Sequence, residues 1–187
     1  MALKATVFKA DFQIADLDRN YYQSHALTLA RHPSETDERM MIRLLAFALY
    51  ASDDLAFGKG IAAEDEPTLW QMDLTGTIER WIDVGQPEER EIRKASGRAK
   101  QVVIIGYGRT AEIWWHDNSK KLQRLHNLTV LRLPTEATQA LAVLAKRSMQ
   151  LQCTIQDGLI LITDESDAVN IEPVVLLRAA GDTPAYA

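Results

Sequence analysis

The segment from Ile78 to Gly106 constrains the fold more than any other part of this 187-residue chain. An alternating run with Ile78, Ile82 and Val84 apolar ends at Gly85-Gln86-Pro87. A helical stretch follows, and QVVIIGYG at 101–108 then carries an unbroken apolar core from Val102 to Ile105. Alternation marks a half-buried strand, and a short continuous apolar run marks a strand buried on both faces. Strand, helix, strand is a crossover unit, right-handed with parallel strands in nearly all cases. A chain built around such a unit is expected to be one α/β domain, a mixed β-sheet with flanking helices.

The run before Ile78 suggests where chemistry sits. Trp70, Met72 and Leu74 alternate with Gln71, Asp73 and Thr75, which predicts a hairpin turning near Gly76. If both apolar sets face one core, opposed residues sum to an even number and Asp73 and Asp83 share the other face. A three-residue loop at 75–77 sets Asp73 opposite Glu79 and leaves Asp83 about 13 Å along the sheet. A wider loop centred on Ile78 sets the two aspartates opposite each other, and only that arrangement lets them share a metal ion. Pro87 suits the first position of the following helix, with Glu88 and Glu89 at its positive end. Arg90, Lys94 and Arg98 fall at i, i+4, i+8 and form a basic stripe. Lys94 lies roughly 10 Å along the helix axis from Pro87, and Asp83 roughly 13 Å back along the strand. A helix folded over the sheet therefore returns Lys94 to the level of Asp83, an arrangement suited to a hard metal and a phosphate. The competing reading is a solvated sheet face beside a solvated helix face.

Other segments are read the same way. Residues 4–14 alternate as a long strand, with Tyr22 to Ala30 returning. A helix over 34–51 starts at Ser34 as N-cap and buries Met41, Leu44, Leu45 and Ala48, widened by Met40 and Phe47. Glu38, Arg39 and Arg43 on it either face a site or are solvated, and the pattern favours solvation. A short strand is expected near 55–61. TAEIWWHDNSKKLQRL reads as a helix interrupted near Asn118, NLTVLRLP as a strand, and EATQALAVLAKR as a helix capped by Thr135. MQLQCTIQ turns at Asp157-Gly158 into LILIT, a tight hairpin. A last strand is expected over 170–178, with Pro173 placing it at an edge.

Composition excludes some classes. The net charge of −5 supplies no global field for nucleic acid, so local stripes or bridging metal ions must supply that attraction. The lone Cys153 allows no internal disulfide and reads as a buried structural thiol in a reducing compartment. His116 and His126 lack the spacing of a helical zinc pair, so no zinc is expected, nor an organic cofactor: Gly106 and Gly108 are not followed by a phosphate-loop lysine. The early acids and lysines of MALKATVFKADFQ do not read as a signal peptide, and no apolar run approaches about 18 residues. The expectation is a cytoplasmic protein with no membrane association.

Six stretches, RHPSETDERM at 31–40, DEPTLW at 65–70, WIDVGQP at 81–87, IRKASGRA at 92–99, IWWHDN at 113–118 and MQLQCTIQDG at 149–158, resemble the bacterial YaeQ family. The resemblance implies a fold similar to the PD-(D/E)XK (restriction-endonuclease-like) nuclease superfamily, with a core over about 34–107. It implies a divergent, Mg²⁺- or Mn²⁺-dependent phosphodiesterase acting on nucleic acid. Asp73 and Asp83 would be the metal-binding acids, Lys94 would replace the superfamily's lysine, and Glu38 would match an acid of the first helix. Gly85 stands where that lysine is expected and Gln86 follows it. Arg90 and Arg98 would hold phosphates. The alternative is a catalytically degenerate module binding nucleic acid or a protein.

Overall fold

The chain folds around one helix packed between two sheets. The structure, a computed structural model, describes residues 4–61 and 65–182. Strands β1 (Thr6–Asp16) and β2 (Tyr21–Arg31) form an antiparallel hairpin, followed by helix α1 (Asp37–Tyr50). Strands β3 (Leu55–Phe57), β4 (Leu69–Met72) and β5 (Ile78–Val84), helix α2 (Glu89–Arg98) and strand β6 (Ala99–Gly106) come next. Helix α3 (Ala111–Leu122), β7 (Leu128–Arg132), α4 (Thr135–Val143), β8 (Ser148–Gln156), β9 (Leu159–Thr163), β10 (Ala168–Ile171) and β11 (Val174–Leu177) complete the chain. The tail GDTPAYA at 181–187, whose composition suggests fraying, is described only for Gly181 and Asp182, and there the buried Asp182 carboxylate accepts from Thr129 Oγ1. The rest lies outside the described residues.

There are two mixed sheets where one was expected. The first runs β10-β9-β8-β1-β2 and the second β11-β7-β6-β5-β4-β3. The split occurs at Pro173: the expected last strand is two strands, one in each sheet. Proline cannot donate to a ladder, so the chain leaves one sheet there and enters the other.

Helix α1 is buried along eleven consecutive residues, Met40 to Tyr50. A helix buried all round is an interior helix, and this one, apolar over that run except for Arg43, packs with Phe12, Leu151 and Ile155 of the first sheet and Ile82, Val103 and Ile105 of the second. The apolar run of β6 divides by parity: Val103 and Ile105 face α1, while Val102 and Ile104 face a second cluster with Ile92, Ala95 and Leu122 of α2 and α3. The crossover from β5 through α2 to β6 is parallel, as expected.

Local signals mostly hold. Asp157 and Gly158 both adopt positive φ, 51° and 75°, as a two-residue hairpin turn requires. The N-cap of α1 is Thr36, whose hydroxyl accepts from Arg39 N, and Ser34 instead bonds His32. Helix α3 is uninterrupted, because the Asn118 amide donates back to Trp114 O.

Candidate functional site

An open cleft of about 830 Å³ lies where α1, the β4–β5 hairpin and α2 converge. Its floor is Asp83, near the carboxyl end of β5. The register decides what Asp83 meets. Leu69 pairs Ile82 and Trp70 pairs Trp81, so opposed residues sum to an odd number, with a shift only beyond Gln71. The even-sum expectation fails because Leu69, not Trp70, is the core residue of β4; Trp70 instead stands edge-on to Trp81 on the opposite face. Thr68 therefore faces Asp83.

Asp83 is half-buried and well bonded. Thr68 N donates to its Oδ1 at 3.0 Å, and Thr68 Oγ1 is 3.4 Å from the same oxygen. Trp81 Nε1 donates to Oδ2 at 2.7 Å. Burial pushes the Asp83 carboxyl above its ordinary value, against the opposing pull of these donors and of Arg39. Thr68 Oγ1 also accepts from Val84 N at 3.2 Å and lies 3.4 Å from Arg39 Nη2. A hydroxyl with two donors on its lone pairs turns its own hydrogen to the carboxylate. Arg39 is held by Glu35 at 2.8 Å, and Glu35 holds Arg43 at 2.8 Å as well. On the other side, the Arg98 guanidinium lies over the Trp81 ring, 5.0 Å from its centroid. A polar chain thus runs Glu35–Arg39–Thr68–Asp83–Trp81–Arg98 from α1 to α2.

The expected site residues separate into two groups. Asp83, Gln86, Arg90, Lys94 and Arg98 all line the cleft. Lys94 Nζ reaches Asp65 Oδ1 at 2.5 Å, and Arg98 Nη1 donates to Asp65 O at 3.2 Å. Gln86 donates to Tyr107 O at 2.9 Å and accepts from Thr110 Oγ1 at 3.0 Å, which ties the ends of β5 and β6 together. Gly85 has φ +118°, a conformation that a lysine side chain rarely adopts. That backbone accounts for glycine at the position.

Asp73 is not in the cleft. It begins the hairpin turn, where its N–H donates to Thr77 O at 3.0 Å. Thr77 is six residues from Asp83 along the strand, about 20 Å. The Asp73 Oδ1 accepts from Thr75 N, Thr75 Oγ1 and Thr77 N at 2.8, 2.6 and 2.9 Å. These bonds, that from the Thr75 hydroxyl foremost, hold its carboxyl below the ordinary value. Its role is to close a turn; neither the three-residue-loop register nor the wider loop that would let it share an ion with Asp83 is present. Glu38 also lies outside, accepting from Thr138 Oγ1 on α4 at 2.7 Å. Among the described residues no three His, Cys, Asp or Glu side chains gather where they could hold a metal ion. The side chains present do not fit a resident Mg²⁺ or Mn²⁺ held by Asp73 and Asp83.

Glu35, Thr68 and Trp81 were not expected at a site, and Arg39 and Arg43, for which the pattern favoured solvation, line the cleft instead. One signal was present: Glu35, Arg39 and Arg43 repeat at i, i+4, i+8, the same spacing as the α2 stripe.

The comparisons agree along nearly the whole chain. The family profile described as YaeQ protein matches residues 1–173. The chain belongs to the YaeQ family. The uncharacterized protein YaeQ of Escherichia coli K12 is 46% identical over 172 residues, covering 91% of this chain and 95% of that protein. The uncharacterized protein YaeQ of Salmonella typhi is 47% identical over 173 residues, 92% and 96% of the two chains. Crystal structures of YaeQ proteins superpose closely. That from Xanthomonas axonopodis pv. citri has a TM-score of 0.91 at 48% identity, over 94% of this chain and 99% of that one. That from Pseudomonas syringae has 0.90 at 33% identity, over 93% and 97%. The single-domain α/β architecture is therefore a property of the YaeQ family. No helix here is long and apolar enough to cross a membrane among the described residues.

Proposed function

We propose that the cleft of this YaeQ-family protein binds the phosphate backbone of nucleic acid, as a module built on a nuclease-like frame. The observation that carries the reading is the convergence of Arg39 from α1 with Arg90, Lys94 and Arg98 from α2 on one cleft. Guanidinium and ammonium groups on rigid helices recognise phosphate by charge-assisted hydrogen bonds. The same lining carries Asp65, Glu66, Asp83, Glu88 and Glu91, so with a net charge of −5 binding of a polyanion depends on direct contacts from these cations rather than on a positive field of the cleft. The test is fluorescence anisotropy of a labelled oligonucleotide at low and rising salt. Replacing Lys94 and Arg98 by Ala is expected to weaken binding at least tenfold and to flatten the salt dependence by about one to two phosphate equivalents. Unchanged affinity overturns the reading.

A second reading is a phosphodiesterase that takes Mg²⁺ or Mn²⁺ only together with its substrate. It rests on the element order α1, β3–β5, α2, β6, similar to the helix, strand hairpin, helix, strand core of the PD-(D/E)XK superfamily. Magnesium commonly uses one or two carboxylates completed by substrate oxygens and water, and on this reading Asp83 would supply the carboxylate. Strand scission with Mn²⁺ that is lost in Asp83→Asn, while oligonucleotide binding persists, selects this reading. Binding without scission selects the first.

A further inference from the structure

Building on the phosphate-binding reading, we infer that the cleft holds two consecutive phosphates of a single strand, one on each side of Asp83, and excludes a duplex.

Among the described residues the cleft lining carries five cations, Arg39, Arg43, Arg90, Lys94 and Arg98, and five carboxylates, Asp65, Glu66, Asp83, Glu88 and Glu91. The cations sit on two walls with Asp83 between them, and Glu66 is paired with Lys59 at 3.0 Å. On the α1 wall Arg39 and Arg43 share the single carboxylate of Glu35, so this wall carries one positive charge in excess. The excess is fixed in the fold: Arg43 is 3% exposed, and its Nε has no hydrogen-bond partner among the described residues. Two guanidiniums on one buried carboxylate favour a second anion, and Arg39 is the more exposed of the two, with 21% of its side chain accessible.

The α2 wall already grips an anionic group. Lys94 holds the Asp65 carboxylate, Arg98 holds the Asp65 carbonyl oxygen, and Arg90 stands beside them with no ion-pair partner among the described residues. Lys94 and Asp65 are both well exposed, with 60% and 75% of their side chains accessible. An exposed pair of this kind holds loosely, so a phosphate can displace Asp65. Glu88 and Glu91 also line this wall, but they cap α2: Glu91 Oε2 accepts from Glu88 N at 3.0 Å.

Asp83 lies between the walls, tied to one through Thr68 and to the other through Trp81. Its Oδ1 has two donor contacts from Thr68 and its Oδ2 one from Trp81, so Oδ2 keeps a free lone pair. Anion, hydrogen-bond donor, anion is the order of groups along phosphate, nucleoside and phosphate. A cleft of about 830 Å³ falls in the size range of small-ligand sites, room for about two nucleotides. A duplex presents a rod that a site of this size does not enclose.

The experiment is isothermal titration with the thymidine dinucleotides TpT and pTpT, with a single-stranded 12-mer, and with the corresponding duplex. The expected result is that pTpT, with two phosphates, binds at least tenfold tighter than TpT, and that the single strand outcompetes the duplex. Arg39→Gln and Lys94→Gln should each remove most of the gain from the second phosphate. Their melting temperatures are recorded alongside, and Lys94→Gln changes only an exposed side chain, so it reports on binding even if Arg39→Gln folds poorly. A 12-mer that binds with pTpT and TpT equal in affinity, or with the duplex equal to the single strand, overturns this inference and leaves the phosphate-binding reading standing. Failure of every oligonucleotide to bind overturns both.

Discussion

At the scale of single residues, Asp83 is costly to the fold and central to the cleft. Burial raises its carboxyl, so the folded chain keeps the proton to higher pH than the unfolded chain does. Stability contributed at Asp83 is therefore full below the ordinary aspartate value and declines as pH rises through the raised one. Asp83→Asn removes this slope. It also sets an amide N–H against either the Trp81 or the Thr68 donor, which costs about 1–2 kcal/mol. Urea unfolding of both proteins from about pH 4 to pH 7 is expected to show the variant improving relative to wild type as pH rises; parallel curves would remove the burial argument. Cys153 is the contrasting case. Burial pushes its thiol up to about 12, which fits a packing residue and no nucleophile.

At the scale of elements, the β4–β5 hairpin shows how one aspartate can look like another in sequence. Asp73 satisfies the turn, with its Oδ1 accepting from Thr75 and Thr77. Because its carboxyl is held below the ordinary value, its contribution is present above that value and is lost as pH falls through the lowered one. Asp73→Ala is expected to lower the thermal midpoint by a few degrees at neutral pH, with the difference shrinking in acid. It should leave oligonucleotide affinity unchanged. An Asp73→Ala protein that folds normally and no longer binds would return Asp73 to the site. Gly58 shows a second constraint on this region: a Cβ there would lie 2.0 Å from Pro67 O, so the strand can approach the cleft loop only with glycine at this position.

At the scale of the whole molecule, α1 joins everything. It is packed by both sheets, and the same helix presents Arg39 and Arg43 to the cleft. Leu45 is fully buried in that interface, and Leu45→Ala is expected to cost about 2–5 kcal/mol through lost burial and the cavity left behind. A loss below about 1 kcal/mol would mean that the two sheets close onto the helix more readily than their packing implies.

The sequence by itself determined much of this protein. Apolar periodicity and turn chemistry are local, so the crossover from β5 through α2 to β6, the Asp157-Gly158 hairpin, the α2 basic stripe and the family were all legible. Position along a helix is also local, and Lys94, expected at the level of Asp83, lines the same cleft as Asp83. The tertiary structure alone decided the rest. Strand register depends on which residue of β4 the core accepts, and the core accepts Leu69; that moved Asp73 away and brought Thr68 to Asp83. The depth of α1 depends on a second sheet formed from the chain's two ends, and burial by that sheet turned Glu35, Arg39 and Arg43 from a solvated stripe into a fixed charge cluster. Pairings between distant segments carry no periodicity of their own, so only the folded packing reveals them.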